Sequence, residues 1–293
     1  MCRALFACLC ICLAFPSDVR ASADVCEDPD RYSHLSFDLN EHSDSKIEQG
    51  PASVGLKTRN VDLQFKTKGD KLLFGIGHRY SIFDVDPLQP ATNGHLHTYF
   101  LPLHKLTGDD NRSFRFSIAP ALSLSSNVGD ELNEYKDDAF QFLAALIWGR
   151  RVSDRVSLRY GICGDHRFGD YQVYPSISMQ WQIHPDWNLQ LGFPTSQLSY
   201  QVAPKLLSMM RIAPDGNEWF VLDKTSTNNS QFVYEAYALE WTFDWTLSES
   251  FIISASIGRQ FHNRFEMTLL DQTRVRLSGD AVTRVGAGVE WRF

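Results

Sequence analysis

The chain ends Asp280-Ala281-Val282-Thr283-Arg284-Val285-Gly286-Ala287-Gly288-Val289-Glu290-Trp291-Arg292-Phe293, and this stretch decides the fold. Counting back by twos, Phe293, Trp291, Val289, Ala287 and Val285 are apolar, while Arg292, Glu290, Gly288, Gly286 and Arg284 are polar or small. Successive side chains of a β-strand point to opposite faces, so the tail predicts one apolar and one charged face. A tail that frays in solvent has no use for such a pattern.

The same period of two runs back through the chain, and no amphipathic helix competes with it. From Tyr171 to His184, Tyr171, Val173, Pro175, Ile177, Met179, Trp181 and Ile183 oppose Gln172, Tyr174, Ser176, Ser178, Gln180, Gln182 and His184. Phe114, Phe116, Ile118, Pro120, Leu122 and Leu124 share another face. Residues 95–107 alternate less clearly and are read as a strand. Twelve strands are predicted, beginning near residues 35, 52, 70, 95, 112, 138, 155, 171, 187, 230, 250 and 280. Region 194–229, punctuated by Pro194, Pro204 and Pro214-Asp215-Gly216, has room for one more hairpin pair, which would make fourteen. Turns near 69, 109, 154, 186 and 249 are tight, and several on the other side are long and polar.

At the front, Arg3 precedes an apolar run, Ala4 to Phe15, and Ala21-Ser22-Ala23 precedes Asp24. That layout predicts a secretory signal peptide over residues 1–23. Cys8 lies too close to the start for a lipoprotein signal. Cleavage removes Arg3, Arg20 and Asp18 and leaves 26 basic residues against 34 acidic, a net charge of −8. An acidic chain of this kind is not built for nucleic acid. Only Cys26 and Cys163 survive cleavage, too few for a disulfide framework or a metal cluster of recognisable spacing; a single bridge stays open. Residues 24–34, with Glu27, Asp28, Pro29 and Asp30, read as an exposed N-terminal segment, and residues 35–293 as one barrel domain.

Alternation fits a soluble sandwich, a soluble barrel or a membrane barrel. Three features favour the membrane. Apolar faces of five to seven residues exceed the usual soluble strand, about 5–6 residues in all. Aromatics gather beside the tight turns (Trp181, Trp187, Phe243, Trp245, Phe251, Trp291, Phe293), where rings suit a headgroup interface. The opposite faces carry Gly, Ser, Gln and charge, as a wet lumen requires. The expected fold is therefore an all-β, closed antiparallel transmembrane barrel of about twelve strands.

On these residues the chain resembles Gram-negative outer-membrane β-barrel proteins, and its spread of glycine, aromatics and tight turns is similar to uncharacterised single-domain barrel families. The ending Val285-x-Ala287-x-Val289-x-Trp291-x-Phe293 is similar to the terminal signal read by the outer-membrane assembly machinery. The resemblance implies insertion by that machinery, escort by periplasmic chaperones, outer-membrane lipid as the surrounding partner, and both termini in the periplasm. No cofactor is expected from the residues.

By phase, Arg115, Arg159, Glu240, Asp244, Arg284, Glu290 and Arg292 point into the lumen. They would either form a mixed-charge eyelet for small polar solutes or pair with one another and fill the barrel. Twelve strands lie between eight, where side chains fill the interior, and sixteen to eighteen, where a channel opens, which favours filling. His95-x-His97 offers two metal ligands without a third. Asp165, His166 and His262 lie near loop ends, where a lipid-cleaving barrel enzyme would keep its acid and base, but no nucleophile motif ties them together. Gly75-Ile76-Gly77 precedes no helix and is not a phosphate loop. The expected function is structural or passively solute-passing; a rim-active lipid-modifying enzyme and a soluble periplasmic barrel for an apolar ligand are the alternatives.

Overall fold

The computed structural model describes residues 25–29, 33–46, 53–66, 71–86, 95–109, 111–131, 137–222, 229–268 and 274–293; the expected signal peptide lies outside them. Strand segments run in order: β1 His34–His42, β2 Ser45–Lys46, β3 Ser53–Lys66, β4 Leu72–Asp86, β5 His95–Phe100, β6 Leu103–Gly108, β7 Arg112–Ser125, β8 Phe140–Ser153 and β9 Val156–Asp165. Then come β10 Gln172–His184, β11 Trp187–Phe193, β12 Ser196–Ala203, β13 Leu206–Pro214, β14 Asn217–Leu222, β15 Asn229–Ser248, β16 Phe251–Thr268, β17 Arg274–Gly279 and β18 Val282–Arg292. A short 3₁₀ turn, Ser126–Glu131, follows β7.

The sheet closes on itself. β18 returns to β1, from His34 opposite Arg292 to His42 opposite Arg284, and the Phe293 amide donates to Ser33 O at 3.0 Å. Closure leaves no sheet edge for lipid to meet unsatisfied. Four segments prolong another at the same place in the ring: β2 continues β1, β6 continues β5, β14 continues β13 and β17 continues β18. Eighteen segments less four make a ring of fourteen strands.

Twelve was the expected number, and the extra pair is β12 and β13, in the region that looked irregular. Its prolines mark strand ends: Pro194 precedes β12, Pro204 lies in the turn after it, and Pro214 closes β13. Between them the alternation is ordinary, with Gln197 and Ser199 buried and Val202 exposed. Residues 95–107 form β5 and β6 with Leu101-Pro102 between, where proline cannot donate to the ladder.

The outward face is apolar around the ring, with Phe37, Ile76, Leu146, Ile177, Leu239 and Ile257 all exposed. A water-soluble surface does not present a contiguous apolar band of this size. At the end where β1 begins and β18 finishes, rings pair beside the tight turns: Phe65 with Phe74 at 5.6 Å, Trp187 with Tyr200 at 4.3 Å and Trp291 with Phe293 at 5.4 Å. The β6–β7 turn at this end uses Gly108 at φ +105°, and the Asp109 carboxylate accepts from the amides of Asn111 and Arg112 at 2.8 and 2.9 Å. Those two bonds hold the Asp109 carboxyl below its ordinary pKa.

A crossing strand needs about 9–11 residues. β15 has 20 and β16 has 18, so their far halves project beyond the bilayer. There the two faces exchange chemistry. Phe232, Tyr234 and Phe265 turn inward, while Arg264, Arg274 and Arg276 face out and pair with Glu235 and Glu266. In β16 a bulge sets the change: Glu235 opposes Arg264 and Tyr237 opposes Phe261, leaving one extra residue on β16. His262 sits in that bulge at φ 59°, a conformation non-glycine residues seldom adopt.

Candidate functional site: the lumen and what fills it

The inner wall is polar where the outer is apolar, because each strand has only two faces to assign. In the terminal strand, Gly286 and Gly288 make room for inward neighbours. A Cβ on Gly288 would lie 2.0 Å from Asp38 Oδ1, and one on Gly286 would lie 2.4 Å from Asn40 Oδ1.

The seven charges assigned by phase fall into three groups. Near the terminal end, Asp244, Glu290 and Arg292 line a cavity of about 10 Å³ with Ser36, Asp38 and Ser254, and Arg292 Nε donates to Glu290 at 2.5 Å. That is room for about one water. Higher in the lumen, Arg284 bridges Glu240 at 3.2 Å, Asp215 at 3.1 Å and Asn40 at 3.2 Å. Asp215 belongs to a turn signal in the sequence, and only the inward course of the β13–β14 junction brings it to Arg284.

The third group holds the N-terminal segment. Residues 24–34 were expected to be exposed, yet Val25, Cys26 and Glu27 are 0%, 7% and 8% exposed. Arg115 donates to the carbonyl oxygens of Cys26, at 2.9 Å, and of Glu27, and pairs with Asp28 at 3.2 Å. Arg159 also pairs with Asp28. Glu27 Oε1 accepts from Thr195 Oγ1 at 2.7 Å, from Arg167 Nη1 at 3.3 Å and from Arg211 Nη2. The Cys26 thiol donates to Asp165 at 3.3 Å, and Tyr174 OH donates to the same carboxylate at 2.6 Å. Ala119, Ala121, Ala145 and Phe100 form an apolar bed with Val25 and Cys26, the three alanines leaving space for the segment. Cys26 and Cys163 are both buried, and no disulfide joins them.

The far mouth is covered differently. β14 pairs antiparallel with β15 and touches β7 in parallel at Phe220 opposite Leu124. Counted round the ring, β7 is fifth and β15 twelfth of fourteen, seven apart either way, so β14 bridges opposite walls. Trp219 and Val221 pack under it with Leu56, Phe83, Leu96 and Phe232. Trp219 Nε1 donates to Thr98 at 3.1 Å, and Gln141 Nε2 donates to Glu218 O at 2.7 Å.

Of the other candidates, Asp165 and His166 are neighbours in sequence but face different partners. Asp165 accepts from Arg167 Nε at 2.9 Å, while His166 Nδ1 lies 3.1 Å from Glu218. His262 serves the bulge and lies 3.8 Å from Glu235. His95 and His97 stand on the outer face. There His97 Nδ1 shares a hydrogen bond with His78 Nε2 at 3.0 Å and its Nε2 one with Ser126 Oγ at 2.8 Å. Among the described residues no group of three or more ligating side chains could hold a metal ion.

The inward phase of Arg115 and Arg159 is legible from alternation alone. Glu27, Asp28, Thr195, Arg167 and Arg211 were missed as members of one site. Arg211 carried a usable signal, its inward phase in β13, once that strand is recognised; Glu27 and Asp28 carried none.

No family model matches the chain, and no curated protein matches it. Among solved structures it is similar to an outer membrane channel from Pseudomonas putida F1, at 9% identity and TM-score 0.47, covering 94% of this chain and all of that one. It is also similar to a bacterial polysaccharide outer membrane secretin (10%, TM-score 0.45, 91% and 100% covered) and to the NanC porin (6%, TM-score 0.42, 88% and 100%). The closed barrel stands on its own hydrogen-bond ladder, and no solute is carried over from these proteins.

Proposed function

We propose that this chain is an outer-membrane barrel of porin-like role that rests closed. One observation carries the reading: the lumen is filled by residues 25–29, which contribute no strand to the ring, and not by wall side chains alone. A barrel built only as a scaffold can be filled by its wall side chains and has no need of a separate occupant. The test is planar-bilayer recording of the full chain and of a variant lacking residues 24–29, each checked for a heat-dependent gel shift. Rare small steps from the full chain and frequent larger ones from the variant are expected. Folded protein that conducts in neither form leaves a structural barrel, and recovery in the soluble periplasmic fraction ends the membrane placement.

The outward set Val285, Ala287, Val289, Trp291 and Phe293 serves, on this reading, as the assembly signal. Phe293→Ala should lower assembled barrel in the outer membrane severalfold while export across the inner membrane continues. Unchanged outer-membrane levels would remove that role.

A second reading, cleavage of lipid acyl esters at the far rim, is favoured by the Ser126–His97–His78 chain. A base that can take the hydroxyl proton is itself oriented by a third group, as nucleophilic catalysis needs. Ser126 is exposed. A fluorophosphonate should label Ser126, and S126A should lose both the label and fatty-acid release from phospholipid vesicles. No label on the folded wild-type protein ends this reading.

A further inference from the structure

We infer that the lumen contains a carboxylate-binding site which the chain's own Glu27 and Asp28 occupy, and that a soluble polycarboxylate takes their place. The inference deepens the porin-like reading and rests on it for access of solute to the lumen.

The cradle is made by the wall alone. Arg115 comes from β7, Arg159 from β9, Arg167 from the turn after β9, Thr195 from the β11–β12 turn and Arg211 from β13. The occupant comes from outside the ring, because the ladder from β1 to β18 closes without residues 25–29. In the bonds from arginine and threonine, the wall donates and the segment accepts, through two carboxylates and two carbonyl oxygens. Nothing in that exchange requires a peptide. It requires closely placed anionic oxygens, which the guanidinium fork recognises by geometry as well as charge.

Charge states the condition for exchange. Four guanidiniums face Glu27, Asp28 and the wall's own Asp165. With the segment gone, the four would lose the Glu27 and Asp28 carboxylates that now pair with them. Taking carboxylate partners away from buried and half-buried cations is strongly unfavourable. Displacement therefore needs an incoming anion, and one that supplies oxygens to both the Glu27 and the Asp28 positions. Chloride offers neither the oxygens nor the span; a small polycarboxylate offers both.

Cys26, buried beside Glu27, reports whether the segment is seated. Wild-type protein in detergent is treated with a neutral maleimide in citrate, and separately in sodium chloride of equal ionic strength, and labelling of Cys26 is followed by peptide mass. Citrate should raise the labelling rate at least tenfold over chloride. R159Q, verified as folded by its heat-dependent gel shift, should need several times more citrate for the same effect. Equal rates in citrate and chloride overturn the inference, whatever the variant does. Bilayer conductance recorded in parallel separates the two ideas. Conductance steps with no citrate-dependent labelling leave the porin-like reading standing and end this one. Citrate-dependent labelling without conductance in any form keeps the site and ends the porin-like reading.

Discussion

Below His262, β15 and β16 turn Glu240, Thr242, Asp244, Ser254 and Ser256 inward and Leu239, Trp241, Ile253 and Ile257 outward. Beyond it the same two strands turn Phe232, Tyr234 and Phe265 inward and Arg264 outward. The difference follows what lies outside. Where lipid surrounds the wall, apolar groups go out and polar groups are left for the lumen; where water surrounds it, the ordinary soluble arrangement returns. The two levels are consequently closed by opposite means. The inner level is shut by a charged segment that wall arginines hold, and the outer level by an apolar cluster beneath β14.

That contrast can be broken at either end. The largest effect is expected from Trp219→Ala, which empties a side chain 2% exposed and packed edge-on to Phe83 at 5.6 Å. A loss of about 3–5 kcal/mol is expected for such a truncation. It should speed amide exchange in β14 by roughly two to three orders of magnitude, at about 1.4 kcal/mol per tenfold, and leave Cys26 protected. If Cys26 is exposed as well, the two closures are one cooperative unit.

Arg115→Ala should do the reverse. Removing one partner from a buried ionic set costs about 3–5 kcal/mol, here felt at the segment, so Cys26 labelling should accelerate a hundredfold or more while β14 stays protected. Thr195→Val, which deletes one of three hydrogen bonds to Glu27 Oε1 and leaves the two from Arg167 and Arg211, should cost about 1.5–3 kcal/mol by the same readout. A larger effect from Thr195 than from Arg115 would show that charge is not what seats the segment. The smallest effect belongs to Lys57→Ala. Its pair with Glu41 at 2.6 Å is exposed on the outer surface at 58% and 61%, and the temperature of the gel-mobility shift should not move.

How far the site could be read from the chain depends on the range of the interaction. Alternation relates residues two apart, so the inward charges and the outward set Val285 to Phe293 could be assigned strand by strand. The pair β12 and β13 was obscured because prolines crowd their ends, although each strand keeps its period between them. The contacts that seat the segment join Arg115 to Glu27 across 88 positions, Thr195 to Glu27 across 168 and Arg211 to Glu27 across 184. No local pattern marks Glu27 as a buried ligand, because an acidic turn-rich stretch has the same composition whether water or arginine surrounds it.

The sequence by itself determined the period, the faces and hence a closed barrel with an apolar exterior, since these follow from side-chain direction in a single strand. Tertiary structure alone decided that fourteen strands close the ring, that β14 crosses the mouth, and that Glu27 and Asp28 lie among four arginines. Those facts arise where distant wall positions converge on one volume, and convergence exists only once the ring has closed.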